Sequence, residues 1–137
     1  MSRLVLDASV TLCWLFEDQA TTYTDSILDR LAAQDEAITS IIWPLEVANV
    51  IAVAERRKLI KPAQSVAFLE ELGQLPIRAE QIGVERAFAN ILDCARRHRL
   101  SAYDASYLDL AMRESLPLST VDSALRAAAR AAGVEIA

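Results

Sequence analysis

Four carboxylates in this chain sit where a solvated charge has no reason to be. Asp7 ends the apolar run of LVLDASV, and Glu46 lies early in WPLEVANV. Asp104 lies in SAYDASYLDLA, and Asp122 follows the short apolar piece of LSTVDSAL. A lone charge is costly to bury, so acidic residues in apolar or strand-end contexts need a partner or a task. Each has an ordinary explanation too. Asp7 and Asp122 are good helix N-caps, Glu46 suits the start of a helix, and Ser101 and Asp104 have capping-box spacing. Gathered at one place, the four change meaning. Two such charges ~4 Å apart repel by about 4 kcal/mol at an effective dielectric near ~20. Caps alone have no cause to converge. A hard divalent cation removes the repulsion, because Mg²⁺ and Mn²⁺ prefer oxygen ligands and keep several waters.

Convergence depends on the elements that carry these residues. Leu4-Val5-Leu6 reads as a buried strand, and Ala37-Ile38-Thr39, Leu75-Pro76-Ile77, Leu116 to Thr120 and Val134-Glu135-Ile136 as further short extended pieces. Between them run helical patterns over Ser9 to Phe16, Thr22 to Ala33, Pro44 to Arg56, Pro62 to Gly73, Val84 to Arg97, Tyr103 to Arg113 and Ser123 to Ala132. Short apolar strands alternating with longer helices predict a parallel sheet covered on both faces. In such a sheet the carboxyl ends of the strands form the ligand-binding edge. All four acids stand just after a strand or near a helix start. Asp109 is the control. Five residues beyond Asp104, it lies about 140° around the helix, and it is assigned to solvent or a surface ion pair.

Length and composition fit this scheme. The chain of 137 residues suits one domain, residues 1–137, and its 53% apolar content excludes a disordered acidic tail. Net charge is −5, so bulk charge does not draw it to nucleic acid or an anionic membrane. Any polyanion it handles must be held locally or through cations. Cys13 and Cys94 read as buried small hydrophobes, with no zinc pattern. No secretory signal or membrane span is read, so the expected compartment is the cytoplasm. The single histidine, His98, stands in the basic run Arg96 to Arg99, which excludes a two-histidine ribonuclease mechanism. A receiver domain would need a second acid beside Asp7 and a late lysine, and Lys61 is the last. A haloacid-dehalogenase-like phosphatase would need Asp where Ser9 stands.

The pieces LVLDASV, PLEVANV, YDASYLDLA and STVDSAL, in this order and over almost the whole chain, resemble the PIN domain, and within it the VapC toxins of type II toxin–antitoxin pairs. The resemblance implies a three-layer α/β/α sandwich with a short central parallel sheet. It also implies a PIN-like endoribonuclease dependent on Mg²⁺ or Mn²⁺. Its site would comprise Asp7, Glu46, Asp104 and Asp122, with Ser9 and Thr120 as small hydroxyls beside them. Asp7 and Asp104 would be the principal ligands. In-line attack by an activated water would leave a 5′-phosphate and a 3′-hydroxyl. The implied partners are RNA, a small cognate antitoxin and a second copy of the chain. The alternative is a catalytically silent PIN-like scaffold that binds a partner. Arg56-Arg57-Lys58-Lys61 and Arg96-Arg97-Arg99 read as helix-end charges or a phosphate rim. Arg126 and Arg130 are further candidates to meet RNA, and Trp14, Trp43 and Tyr107 read as core before base-stacking.

Overall fold

The computed structural model describes residues 2–137. Four strands form one parallel sheet in the order β3-β2-β1-β4. They are β1 (Arg3–Leu6), β2 (Glu36–Thr39), β3 (Ile77–Ala79) and β4 (Leu118–Ser119). The helices are α1 (Ala8–Leu15), α2 (Thr22–Ala32), α3 (Trp43–Arg56), α4 (Pro62–Gly73), α5 (Val84–Arg86), α6 (Leu92–His98), α7 (Ala102–Glu114) and α8 (Ser123–Ala131). A π-helical segment, Ala87–Ile91, joins α5 to α6. The helices enclose the sheet from both sides, giving the three-layer α/β/α arrangement expected.

Strand β1 shows why. Leu4, Val5 and Leu6 have no exposed surface, and their side chains alternate between faces. Val5 packs with Ile38, Leu108, Leu118 and Leu125 on one side, under α7 and α8. Leu4 and Leu6 pack with Val10, Ile27 and Leu31 on the other, under α1 and α2. A third cluster, built around Ala8, Val47, Ile51, Ala54 and Phe68, fastens α3 and α4 to α1. The α3 and α4 helices are therefore partly core. Leu45 of α3 and Val66 and Leu69 of α4 remain exposed.

Two strands differ from expectation. The third pairs over Ile77–Ala79, not Leu75 to Ile77, because Pro76 has no N–H and offers the ladder only its carbonyl, which accepts from Ala37. Val134 to Ile136 is not a full strand. Ile136 makes a single parallel bridge to Leu118, while Val134 N–H turns back to Ala129 O to close α8. Gly133 permits that reversal with φ +77.

The chain runs outward from β1 through β2 to β3, then crosses to β4 on the other side of β1. The strand order thus reverses between β1 and β4. Open α/β sheets bind ligands in the crevice at such a switch point, beyond the carboxyl ends of the strands.

Candidate active site

Asp7 is the first residue after β1 at that crevice, and Asp122 lies three residues beyond the end of β4. Glu46 comes from the first turn of α3, and Asp104 from the first turn of α7. All four line one cleft of about 290 Å³, together with Ala8, Ser9, Leu12, Asn49 and Val50. The structure therefore brings together every acid singled out by the sequence.

The rival capping roles resolve residue by residue. Asp7 occupies the N-cap position of α1 but makes no capping hydrogen bond with its side chain. Asp122 does cap α8, accepting from Leu125 N–H at 2.8 Å through Oδ2. At α7 the cap is Ser101, which accepts from the Asp104 N–H at 3.1 Å, and the Asp104 carboxylate is left for the cleft. Glu46 has a partner the sequence reading did not assign. Tyr107 O–H donates to Glu46 Oε1 at 2.6 Å. Tyr107 is wholly buried and stands one turn after Asp104 on α7, so one helix supplies an acid and the donor that holds another. That i, i+3 spacing was the available signal.

Ser9 and Thr120 converge on the same carboxylate oxygen. Ser9 Oγ donates to Asp7 Oδ2 at 2.6 Å, and Thr120 Oγ1 donates to it at 2.7 Å. The two hydroxyls are 3.2 Å apart. They in turn accept backbone N–H bonds from Val121 (3.1 Å, to Ser9) and Asp122 (3.0 Å, to Thr120). This relay ties the β1 exit to the β4 exit and fixes the orientation of Asp7.

The carboxyl groups pay electrostatically for their position. Burial raises Asp7 above the ordinary carboxylate range; the Ser9 and Thr120 hydroxyls oppose that, and the Asp122 charge adds to it. Burial also raises Glu46, as do the charges of Asp7 and Asp104, while Tyr107 works against them. Asp104 is pushed up to about 6, first by burial and then by Asp7 and Asp122. Burial, and then its bond to Glu46, keeps the Tyr107 phenol protonated. All four acids keep an oxygen free for a ligand: Asp7 takes both hydroxyl bonds on Oδ2, and the Asp104 carboxylate accepts no hydrogen bond from the described residues. Glu46 and Asp122 each have one oxygen held by a donor and a second that accepts no hydrogen bond from the described residues. Among the described residues, no three such groups are drawn together tightly enough to enclose an ion as they stand. The quartet lines an open cleft instead. An all-oxygen, acid-rich cleft with raised carboxyl pKa values fits a hard divalent cation that retains much of its water.

Asp109 corrects the sequence reading. It does point away from the cleft, but it is largely buried. Arg86 grips both its oxygens, at 2.9 and 3.0 Å, and Arg113 approaches to 3.4 Å while bonding Glu80 at 2.8 Å. The exit of β3 and the end of α5 bring Glu80 and Arg86 against α7, a juxtaposition with no local sequence signature. Of the cations offered for RNA, Arg126 is engaged internally. Its Nε donates to Thr120 O at 2.8 Å, and its guanidinium lies 4.7 Å from the Tyr23 ring centroid. Arg97 pairs with Asp93 along α6. Trp14 and Trp43 bond Thr24 O and Thr11 Oγ1, as core residues. Cys13 and Cys94 are buried and free.

A parallel α/β/α sheet with an acidic cleft at its switch point defines a class of folds that bind ligands beyond the carboxyl ends of their strands. The PIN domain model matches residues 4–131, and the chain belongs to that family. None of the curated proteins matches it. Among the solved structures that share the fold, three illustrate the likeness. PAE2754 from Pyrobaculum aerophilum is 19% identical, with TM-score 0.70, covering 93% of this chain and 79% of its own. VapBC2 from Rickettsia felis, bound to a DNA fragment from its promoter, is 12% identical, with TM-score 0.69 and coverage of 98% and 97%. FitAcB from Neisseria gonorrhoeae is 22% identical, with TM-score 0.64 and coverage of 97% and 95%. Among the described residues, no helix is long and apolar enough to cross a membrane.

Proposed function

We propose that this chain is a divalent-metal-dependent endoribonuclease, the toxin of a toxin–antitoxin pair, whose cognate antitoxin covers the cleft. The observation that carries the nuclease reading is the convergence of Asp7, Glu46, Asp104 and Asp122 in one cleft. The likeness to the VapBC2 and FitAcB structures supports the toxin reading. In this reading Asp7 and Asp104 hold Mg²⁺ or Mn²⁺, with Glu46 and Asp122 completing the site directly or through water. When bound, the cation lowers the pKa of water and offsets charge on the phosphate. The protein's own part is positional. Ser9 and Thr120 fix Asp7, Tyr107 fixes Glu46, and the α8 N-terminus fixes Asp122. Their carboxylates direct an attacking water in line with the leaving 3′-oxygen.

The experiment is cleavage of RNA in Mg²⁺ or Mn²⁺ by the wild type and by Asp7→Asn. Cleavage is expected to vanish in the variant while its melting curve stays cooperative. Full activity of Asp7→Asn would remove the assignment, and wild-type inactivity on every RNA with either ion would favour a silent scaffold.

A further inference from the structure

Asn49 is a residue of the cleft that the acidic quartet does not explain. It stands three residues after Glu46 on α3, one turn along the same helix face, and both line the cleft. Asn49 is exposed, and nothing in the fold holds it. Side-chain hydrogen bonds along α3 are made by Trp43, Glu46 and Glu55, and none to a described residue involves Asn49. Asparagine is also a poor choice for the middle of a helix, because it loses to alanine in propensity and competes for backbone bonds. A local rule broken without structural return marks a functional position.

Resting on the endoribonuclease reading, we propose that Asn49 is a sugar-reading residue that hydrogen-bonds a ribose 2′-hydroxyl beside the scissile phosphate. The chemistry of the cleft favours this contact. A phosphate oxygen only accepts hydrogen bonds, and in the endoribonuclease reading its charge is met by the cation held by the carboxylates. A 2′-hydroxyl is neutral and both donates and accepts, and a carboxamide does the same. The 2′-hydroxyl is also the group that separates RNA from DNA at a given site. Asn49 is the neutral carboxamide among the residues lining this acidic cleft. It binds and orients the sugar and takes no part in bond making.

The test compares wild type and Asn49→Ala on a single-stranded RNA oligonucleotide that the wild type cuts, and on versions with one 2′-deoxy sugar at each position around the cut. In the wild type, one deoxy position should slow cleavage about tenfold, the worth of one such hydrogen bond. Asn49→Ala should slow the all-ribose substrate by a similar factor and be insensitive to that same deoxy position. A binding readout uses the Asp7→Asn background with RNA and DNA of one sequence, followed by fluorescence anisotropy. Adding Asn49→Ala should reduce the RNA-over-DNA preference about tenfold. Asn49→Ala should melt no lower than the wild type, since alanine is the better helix former. Equal loss on ribose and deoxy substrates, unchanged cleavage, or a wild type indifferent to every 2′-deoxy sugar would overturn the proposal while leaving the nuclease reading intact. A wild type that cuts no RNA removes both.

Discussion

Removing a negative charge from the cleft should make the metal-free protein more stable. Asp104 offers the cleanest case, because its carboxylate accepts no hydrogen bond whose loss would confuse the result, and its backbone cap is made by Ser101. Folding raises its pKa from 3.8 to about 6, through burial and then the Asp7 and Asp122 charges. The folded state therefore holds this proton more tightly than the unfolded chain. The favourable contribution is fully present below the unfolded value and is lost as pH rises through about 6, leaving the ionised group at a disadvantage above that. A displacement of this size corresponds to at most about 3 kcal/mol. Asp104 is partly open to water, and screening reduces the figure to about 1 kcal/mol. For a domain of this length that is about 3–5 °C in melting temperature. Asp104→Asn in EDTA should melt higher than the wild type by that amount at about pH 7.5, and the gap should close by about pH 4. Thermal melts by circular dichroism across this range decide it. A variant that melts at or below the wild type at neutral pH, or a gap that persists in acid, would refute the electrostatic account of the cleft.

Millimolar Mg²⁺ or Mn²⁺ should raise the wild-type melting temperature, by an amount equivalent to about 2.7 kcal/mol at a hundredfold excess over Kd, and raise that of Asp104→Asn less; equal shifts would count against Asp104 as a ligand. Tyr107→Phe removes the 2.6 Å bond to Glu46 and should lower stability by about 1 kcal/mol and cleavage about tenfold, read by melting and by RNA turnover. Arg86→Ala leaves Asp109 largely buried with only the 3.4 Å contact to Arg113, and should cost about 2–3 kcal/mol by urea unfolding. Adding Asp109→Leu should recover part of that loss, and simple additivity of the two changes would show that the pair is not coupled.

The readable part of this protein was its local grammar. Leu4-Val5-Leu6 followed by an acid places a buried strand and a strand-end carboxylate with no tertiary knowledge, and Asp122 before an alanine-rich helix does the same at the other end of the chain. The fold then brings the two to adjacent strands, β1 and β4. What the sequence withheld was contact between distant turns. Tyr107 looked like one more core aromatic until its hydroxyl met Glu46, 61 positions earlier. Asp109 reads as solvated or paired at the surface because its helix angle is known and its neighbours are not; the ion pair forms, but buried. Arg86 reaches Asp109 from a region whose helix contains a π turn that no periodicity announces, and Glu80 meets Asp109 only through the shared Arg113. The third strand shifted for a purely local reason, the missing N–H of Pro76.

The hydroxyl relay joins residues 111 and 113 positions apart, Ser9 to Thr120 and Thr120 to Asp7. During synthesis Asp7 and Ser9 emerge long before Thr120, so the second hydroxyl reaches Asp7 only after Thr120 has been made and β4 has docked. Strand β4 is two residues long and is itself gripped by the segment after α8, with Leu118 N–H on Glu135 O and Ala137 N–H on Leu118 O. Assembly of the cleft therefore waits on the stretch from Thr120 to Ala137. Nascent or prematurely terminated chains ending before Thr120 lack both the second hydroxyl and the fourth acid.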